Sequence, residues 1–237
     1  AMDFGKKGFS DTVNNLNAAG VKTVGAKNQI LYTKVKNIPV AWIGFCFYEY
    51  CNTVQDIQKA KALVNQARQK AKIVIISMHV GAEGSDALQV RNATEYFYGE
   101  NRGNSILFAR SMVDAGADLI LGHGPHVPRA MEVYKGKLIA YSLGNFLGYK
   151  TFSTTAEKGD SLVLEAKINQ DGDFVSGKID SIRLDKTGIP QVDKYGQTID
   201  LVRSLTKRSF PNTKISISQK GEISFSGQDV ARKKKLN

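Results

Sequence analysis

The sequence predicts an α/β domain with a largely parallel sheet and covering helices up to Gly148, followed by an antiparallel-rich half. Three observations carry this. Short β-branched runs alternate with amphipathic stretches through the first 148 residues, the pattern of repeated strand–helix–strand units. Past Gly148 the strand-like runs are separated by tight polar turns, as in hairpins. At 237 residues and 42% hydrophobic content, the chain is long enough to bury a real core.

Residues 9–19 read as a helix, with Ser10 as N-cap and Gly20 as its stop. Residues 21–25, 30–35 and 40–47 read as strands, the last two separated by Pro39. Asn52 or Thr53 caps a helix over 54–71, with Ile57, Ala60, Leu63, Val64 and Ala67 along one face. Residues 72–77 (KIVIIS) form a buried strand. A polar loop, 85–103, leads to a helix over 104–115 that Gly116 ends. Residues 118–121 are the next strand, and a hairpin starting near Ala130 turns at Lys135-Gly136-Lys137 and returns through 138–143. Strands over 161–169, 174–185, 214–218 and 222–225 and a helix over 198–207 complete the chain. There is no internal repeat, so one domain is expected over 1–230, with a parallel-type half (1–148), an antiparallel-rich half (149–230) and a basic tail at 231–237.

Thirty-three basic against 22 acidic residues leave a net charge of +11. That balance suits a polyanion or an anionic surface, and equally a solvated basic face. The one dense cluster, Arg232 to Lys235, has no interleaved aromatics, so no nucleic-acid partner is expected. No apolar run approaches the roughly 20 residues of a membrane span, and the opening AMDFGKKGFSD has no apolar core of a signal peptide. Cys46 and Cys51 either bridge across a turn or leave Cys46 as a buried thiol at a strand end.

All three histidines fall in two strand-end loops: His79 in one, His123 and His126 in the other. Singly each reads as a surface side chain. Together they point to a metal or acid–base site, and imidazole suits zinc, iron, nickel or copper. Three imidazoles make one metal site at most. Glu83, four residues after His79, is a candidate base or outer partner. Arg102 can fork onto a carboxylate or phosphate, or simply flank a helix. Asn145 and Ser142 can donate to an anion, or Gly144-Asn145 only ends a strand. The absence of GxSxG, GxxxxGK and GxGxxG motifs weakens serine-hydrolase, NTPase and dehydrogenase readings.

Four stretches, AMDFGKKGFSD, SMHVGAEGSD, EYFYGENRGN and GADLILGHGPHVPRAMEVYKGKLIAYSLGNF, resemble the bacterial capsule-synthesis CapA family, named for poly-gamma-glutamate production. The resemblance covers residues 3 to about 185 and implies a calcineurin-like metallophosphoesterase α/β/β/α sandwich with mixed sheets and a metal pair (manganese, iron or zinc) above the strand ends. By it, His79, His123 and His126 would be ligands, His123 and Glu83 catalytic, and Arg102, Asn145 and Ser142 would hold the anionic substrate. Gly124 departs from the HPH pattern of relatives. Earlier family motifs (an aspartate, Gly-Asp, Asn-His) have no counterpart here, so the resemblance implies a chain lacking the N-terminal strands, with an exposed sheet edge open to self-association. It also implies a metal-dependent hydrolase in the intact protein, this stretch alone being inactive, or else a non-catalytic accessory that binds acidic polymer. Either would work at the cell envelope, outside the cytoplasm, in company with a membrane-associated synthesis complex.

Overall fold

The structure, a computed structural model, describes residue 2 and residues 4–226. Its elements in chain order are α1 (Gly5–Ala18), β1 (Leu31–Val35), β2 (Ile38–Cys46), β3 (Asn52–Thr53), α2 (Ile57–Arg68), β4 (Ile73–His79), β5 (Glu95–Phe97), β6 (Glu100–Gly103), α3 (Ser105–Asp114), β7 (Leu119–His123), β8 (Met131–Tyr134) and β9 (Lys137–Ala140). The second half adds β10 (Asp160–Ile168), β11 (Phe174–Leu184), β12 (Pro190–Val192), α4 (Gln197–Ser209), β13 (Ile215–Ile217) and β14 (Glu222–Phe225).

Seven strands form the main sheet in the order β1-β2-β4-β7-β9-β8, with β3 beside the end of β2. Strands β2, β4, β7 and β9 run parallel, while β1 and β8 are antiparallel edges. The parallel centre follows from helix crossovers: α2 returns the chain from β2 to β4, and α3 from β4 to β7. Asp56 caps α2 by accepting from Lys59 N (3.0 Å), and Asn104 caps α3 by accepting from Leu107 N (2.9 Å). A second sheet, β10-β11-β14-β13 with β12 on β11, is antiparallel throughout. The result is the mixed α/β sandwich the sequence called for.

Side-chain alternation splits the interior in two. Val74, Ile76 and Met78 of β4 pack with Leu63, Val64, Phe108 and Met112 on the helix side. Ile73 and Ile75 face Leu162, Phe174, Ile179 and Ile223 of the second sheet. Helix α4 bridges the two, with Ile199 and Val202 in the inter-sheet core and Leu205 in the other.

Several boundaries move. Ser10 lies inside α1, which starts at Gly5 without a side-chain cap and buries none of its residues. Residues 21–25 are not a strand: they cross over β2, where Gly44 leaves room for Gly25, and only Ala26 bridges to Cys51. Pro39 sits within β2 rather than before it, and its carbonyl accepts from Lys72 N. Asn52 caps no helix; it is buried, binding Gly44 O and Asn28 N. The loop over 85–103 contains the β5–β6 hairpin. The basic tail lies outside the described residues.

Candidate functional site

Strands β4 and β7 end together, with His79 opposite His123 in parallel register. Backbone bonds then zip the two loops beyond: Val80 N donates to His123 O and Gly84 N to Pro125 O, both at 2.9 Å. Gly124, at φ +116, packs against His79 Cδ2, where an added Cβ would stand only 3.1 Å away. The glycine that breaks the expected HPH pattern thus lets the second loop close over the first.

A crevice of about 690 Å³ opens here, and His79, Glu83 and His126 are among its lining residues. Phe9, Phe45, Tyr48, Tyr50 and Phe152 supply its aromatic side chains. His123 is not among its lining residues. Burial, then the neighbouring imidazoles of His126 and His123, push His79 down to about 4, so it is neutral near pH 7. Burial lowers His123 as well.

His126 is clamped. Its Nδ1 lies 2.6 Å from Asn145 Oδ1, and Asn145 Nδ2 donates back to the His126 carbonyl at 3.2 Å. With the amide oxygen as acceptor, Nδ1 carries the proton and a neutral ring keeps Nε2 as the free acceptor. Glu83 Oε2 lies 3.7 Å from Nε2. The other Glu83 oxygen accepts from Arg102 at 2.7 Å, and Arg102 also meets Glu100 at 2.7 Å. Carboxylate and imidazole are therefore each oriented by a dedicated partner.

Arg102 is buried between these two carboxylates, its guanidinium 4.1 Å from the centroid of the Phe47 ring. Its two terminal nitrogens are taken by Glu83 and Glu100, so the guanidinium positions Glu83. Ser142 is likewise inside: its hydroxyl donates to Val127 O at 2.7 Å and it is 1% exposed. Asn145 holds His126 through both of its amide atoms. Cys46 and Cys51 are bridged, which resolves the open alternative and fixes the Tyr48–Tyr50 turn at the crevice wall.

The anchor of the whole loop system is Arg129, fully buried, with Nη1 and Nη2 on the Glu95 oxygens at 3.0 and 2.7 Å and a further bond to Ala82 O. Sequence reading passed over it. Its one signal is a lone cation in the otherwise apolar HVPRAM run, which a buried ion pair explains.

The family described as "Bacterial capsule synthesis protein PGA_cap" matches residues 1–150, the portion that builds the main sheet and this crevice. The chain belongs to that family. Among curated proteins it is 30% identical over 229 residues to the PGA biosynthesis protein CapA of Bacillus subtilis, covering 88% of this chain and 55% of that one. The capsule biosynthesis protein CapA of Bacillus anthracis is 29% identical, over 72% of this chain and 42% of its own. A probable polyglutamine synthesis accessory protein of Mycobacterium tuberculosis is 27% identical, over 61% and 42%. The chain thus spans about half the length of the relatives it matches. The resemblance implied the three histidines as metal ligands. Among the described residues, however, no three His, Cys, Asp or Glu side chains form a group able to hold a metal ion. The imidazoles and Glu83 do not by themselves fit the divalent centre that the resemblance implied.

Proposed function

We propose that this member of the capsule-synthesis family handles an acidic polymer, poly-gamma-glutamate or one of like chemistry, at the His126 crevice, working at the cell envelope. The observation that carries the reading is the double orientation of the polar pair: Asn145 holds His126 and Arg102 holds Glu83 at the mouth of one aromatic-walled crevice. Such expenditure on orientation is what a binding or proton-handling site requires. A carboxylate polymer linked by amides offers hydrogen-bonding groups to this pair and negative charge to exposed lysines. Lys22 and Lys27 are exposed, and Lys27 lines a neighbouring cavity of about 710 Å³ that shares Phe45, Tyr48 and Cys51 with the crevice. The relatives' names, all tied to polymer or capsule synthesis, support the same assignment.

The test is direct binding of poly-gamma-glutamate by calorimetry, with Glu83→Gln and Asn145→Ala beside the parent chain. Saturable binding weakened by both substitutions supports the reading; equal binding by all three refutes it. A second reading, hydrolysis with His126 as proton acceptor, is favoured by the fixed tautomer of its ring. Shortening of the polymer on incubation, lost in His126→Ala, separates it from a purely accessory role.

A further inference from the structure

Beside the crevice, the segment 146–152 and the turn 186–189 form an exposed apolar rim. Two backbone bonds join them, Gly148 N to Gly188 O at 3.0 Å and Lys150 N to Thr187 O at 2.8 Å. On this rim Phe146 is 51% exposed, Leu147 61%, Tyr149 59% and Ile189 39%. Two exposed lysines, Lys150 and Lys186, stand among them, the ammonium of Lys150 lying 5.2 Å from the Tyr149 ring centroid. Asp185, the acid nearest these lysines in sequence, binds its own turn: its Oδ1 accepts from Thr187 N, Thr187 Oγ1 and Ile189 N. None of those bonds goes to Lys150 or Lys186, and two lysines against this one carboxylate leave the rim with a net positive charge.

Scattered apolar side chains on a surface are ordinary, but several on two joined loops mark an interaction site. We propose that this rim docks onto an anionic lipid surface. Phe146, Leu147 and Ile189 enter the boundary between headgroups and acyl chains, Tyr149 lies at headgroup level, and Lys150 and Lys186 meet lipid phosphates. The composition selects lipid over polymer: a polycarboxylate rewards lysines but gives nothing to Leu147 or Ile189. No helix among the described residues is long and apolar enough to cross a membrane. It also carries consequences for the crevice, because Phe152, from the same loop, is part of the crevice wall. The proposal stands independently of which polymer the crevice takes.

Flotation with phosphatidylcholine vesicles, with and without phosphatidylglycerol, tests it. The chain is expected to float with the anionic vesicles, and Leu147→Ser combined with Tyr149→Ser to weaken partitioning about tenfold or more, as withdrawal of leucine-sized apolar surface implies. Lys150→Glu should weaken it most at low salt. Both positions are exposed, so the melting transition should not move, and this is checked by circular dichroism. Absence of flotation with anionic vesicles, or flotation indifferent to the Leu147/Tyr149 change, overturns the proposal. It also fails if that change instead reduces poly-gamma-glutamate binding or removes a concentration-dependent dimer, which would give the rim to polymer or to a second copy.

Discussion

Replacing Arg129 by methionine isolates the device that holds the site's loops in place. The guanidinium is fully buried and makes both of its forked bonds to Glu95, while Ala82 N also donates to Glu95 Oε2 at 3.0 Å. Methionine approximates the volume of the stem but leaves the Glu95 carboxylate, 13% exposed at its side chain, without its cation. Breaking a buried pair from one side costs about 3–5 kcal/mol. For a chain of this size that corresponds to a drop in melting temperature of about 6–20 °C. Urea or thermal unfolding followed by circular dichroism reads the effect. Adding Glu95→Gln to the Arg129→Met variant should recover part of the loss, because the stranded charge is then gone. A loss below about 1 kcal/mol for Arg129→Met would show that the pair behaves as a solvent-screened surface contact, and the reasoning about loop anchoring would fail.

Asn145→Ala removes the acceptor for His126 Nδ1, so nitrogen NMR should show a single Nδ1–H form in the parent chain and a mixture in the variant; an unchanged tautomer refutes the clamp. Cys46→Ser with Cys51→Ser opens a loop of sequence separation 5 and should cost about 2 kcal/mol by the loop-entropy relation, read as a lower urea midpoint; no change would mean the turn is held by other contacts. Burial, with the Glu132 carboxylate adding to it, keeps the Tyr141 phenol protonated well above its usual 10.0. The unfolded chain therefore releases that proton first, and stability falls as pH rises past 10. Tyr141→Phe should lower stability at neutral pH by about 1 kcal/mol for the lost bond to Glu132, which keeps both of its bonds from Arg110, yet flatten the alkaline decline; an equally steep decline in both proteins contradicts this.

Much of this fold was legible because period-2 and period-3.6 patterns respond to burial. KIVIIS has its β-branched run, and β4 duly lies at the sheet's centre between β2 and β7. The 57, 60, 63, 64, 67 stripe is real, with Ala60, Leu63, Val64 and Ala67 buried on α2. What pattern reading missed is non-local. Residues 21–25 carry a strand's composition but cross β2 at Gly44 instead of pairing, a choice set by tertiary packing. The histidine loops were recognisable from their residue types, and the two imidazoles of His79 and His126 do share one crevice. Roles were less legible: a loop arginine and a strand-end serine look the same in sequence whether they face a ligand or each other's backbone. Only coordinates show Arg102 held by Glu83 and Glu100, and Ser142 by Val127 O.

With three histidines in the chain, imidazole proton resonances followed during titration with poly-gamma-glutamate report on the crevice without ambiguity of crowding. The signals of His126 and His79 should move together and saturate at one midpoint, and Glu83→Gln should shift that midpoint to higher polymer concentration. Movement confined to lysine side-chain signals, with both imidazoles still, would mean that the polymer touches only the basic surface and that the crevice is not where it is handled.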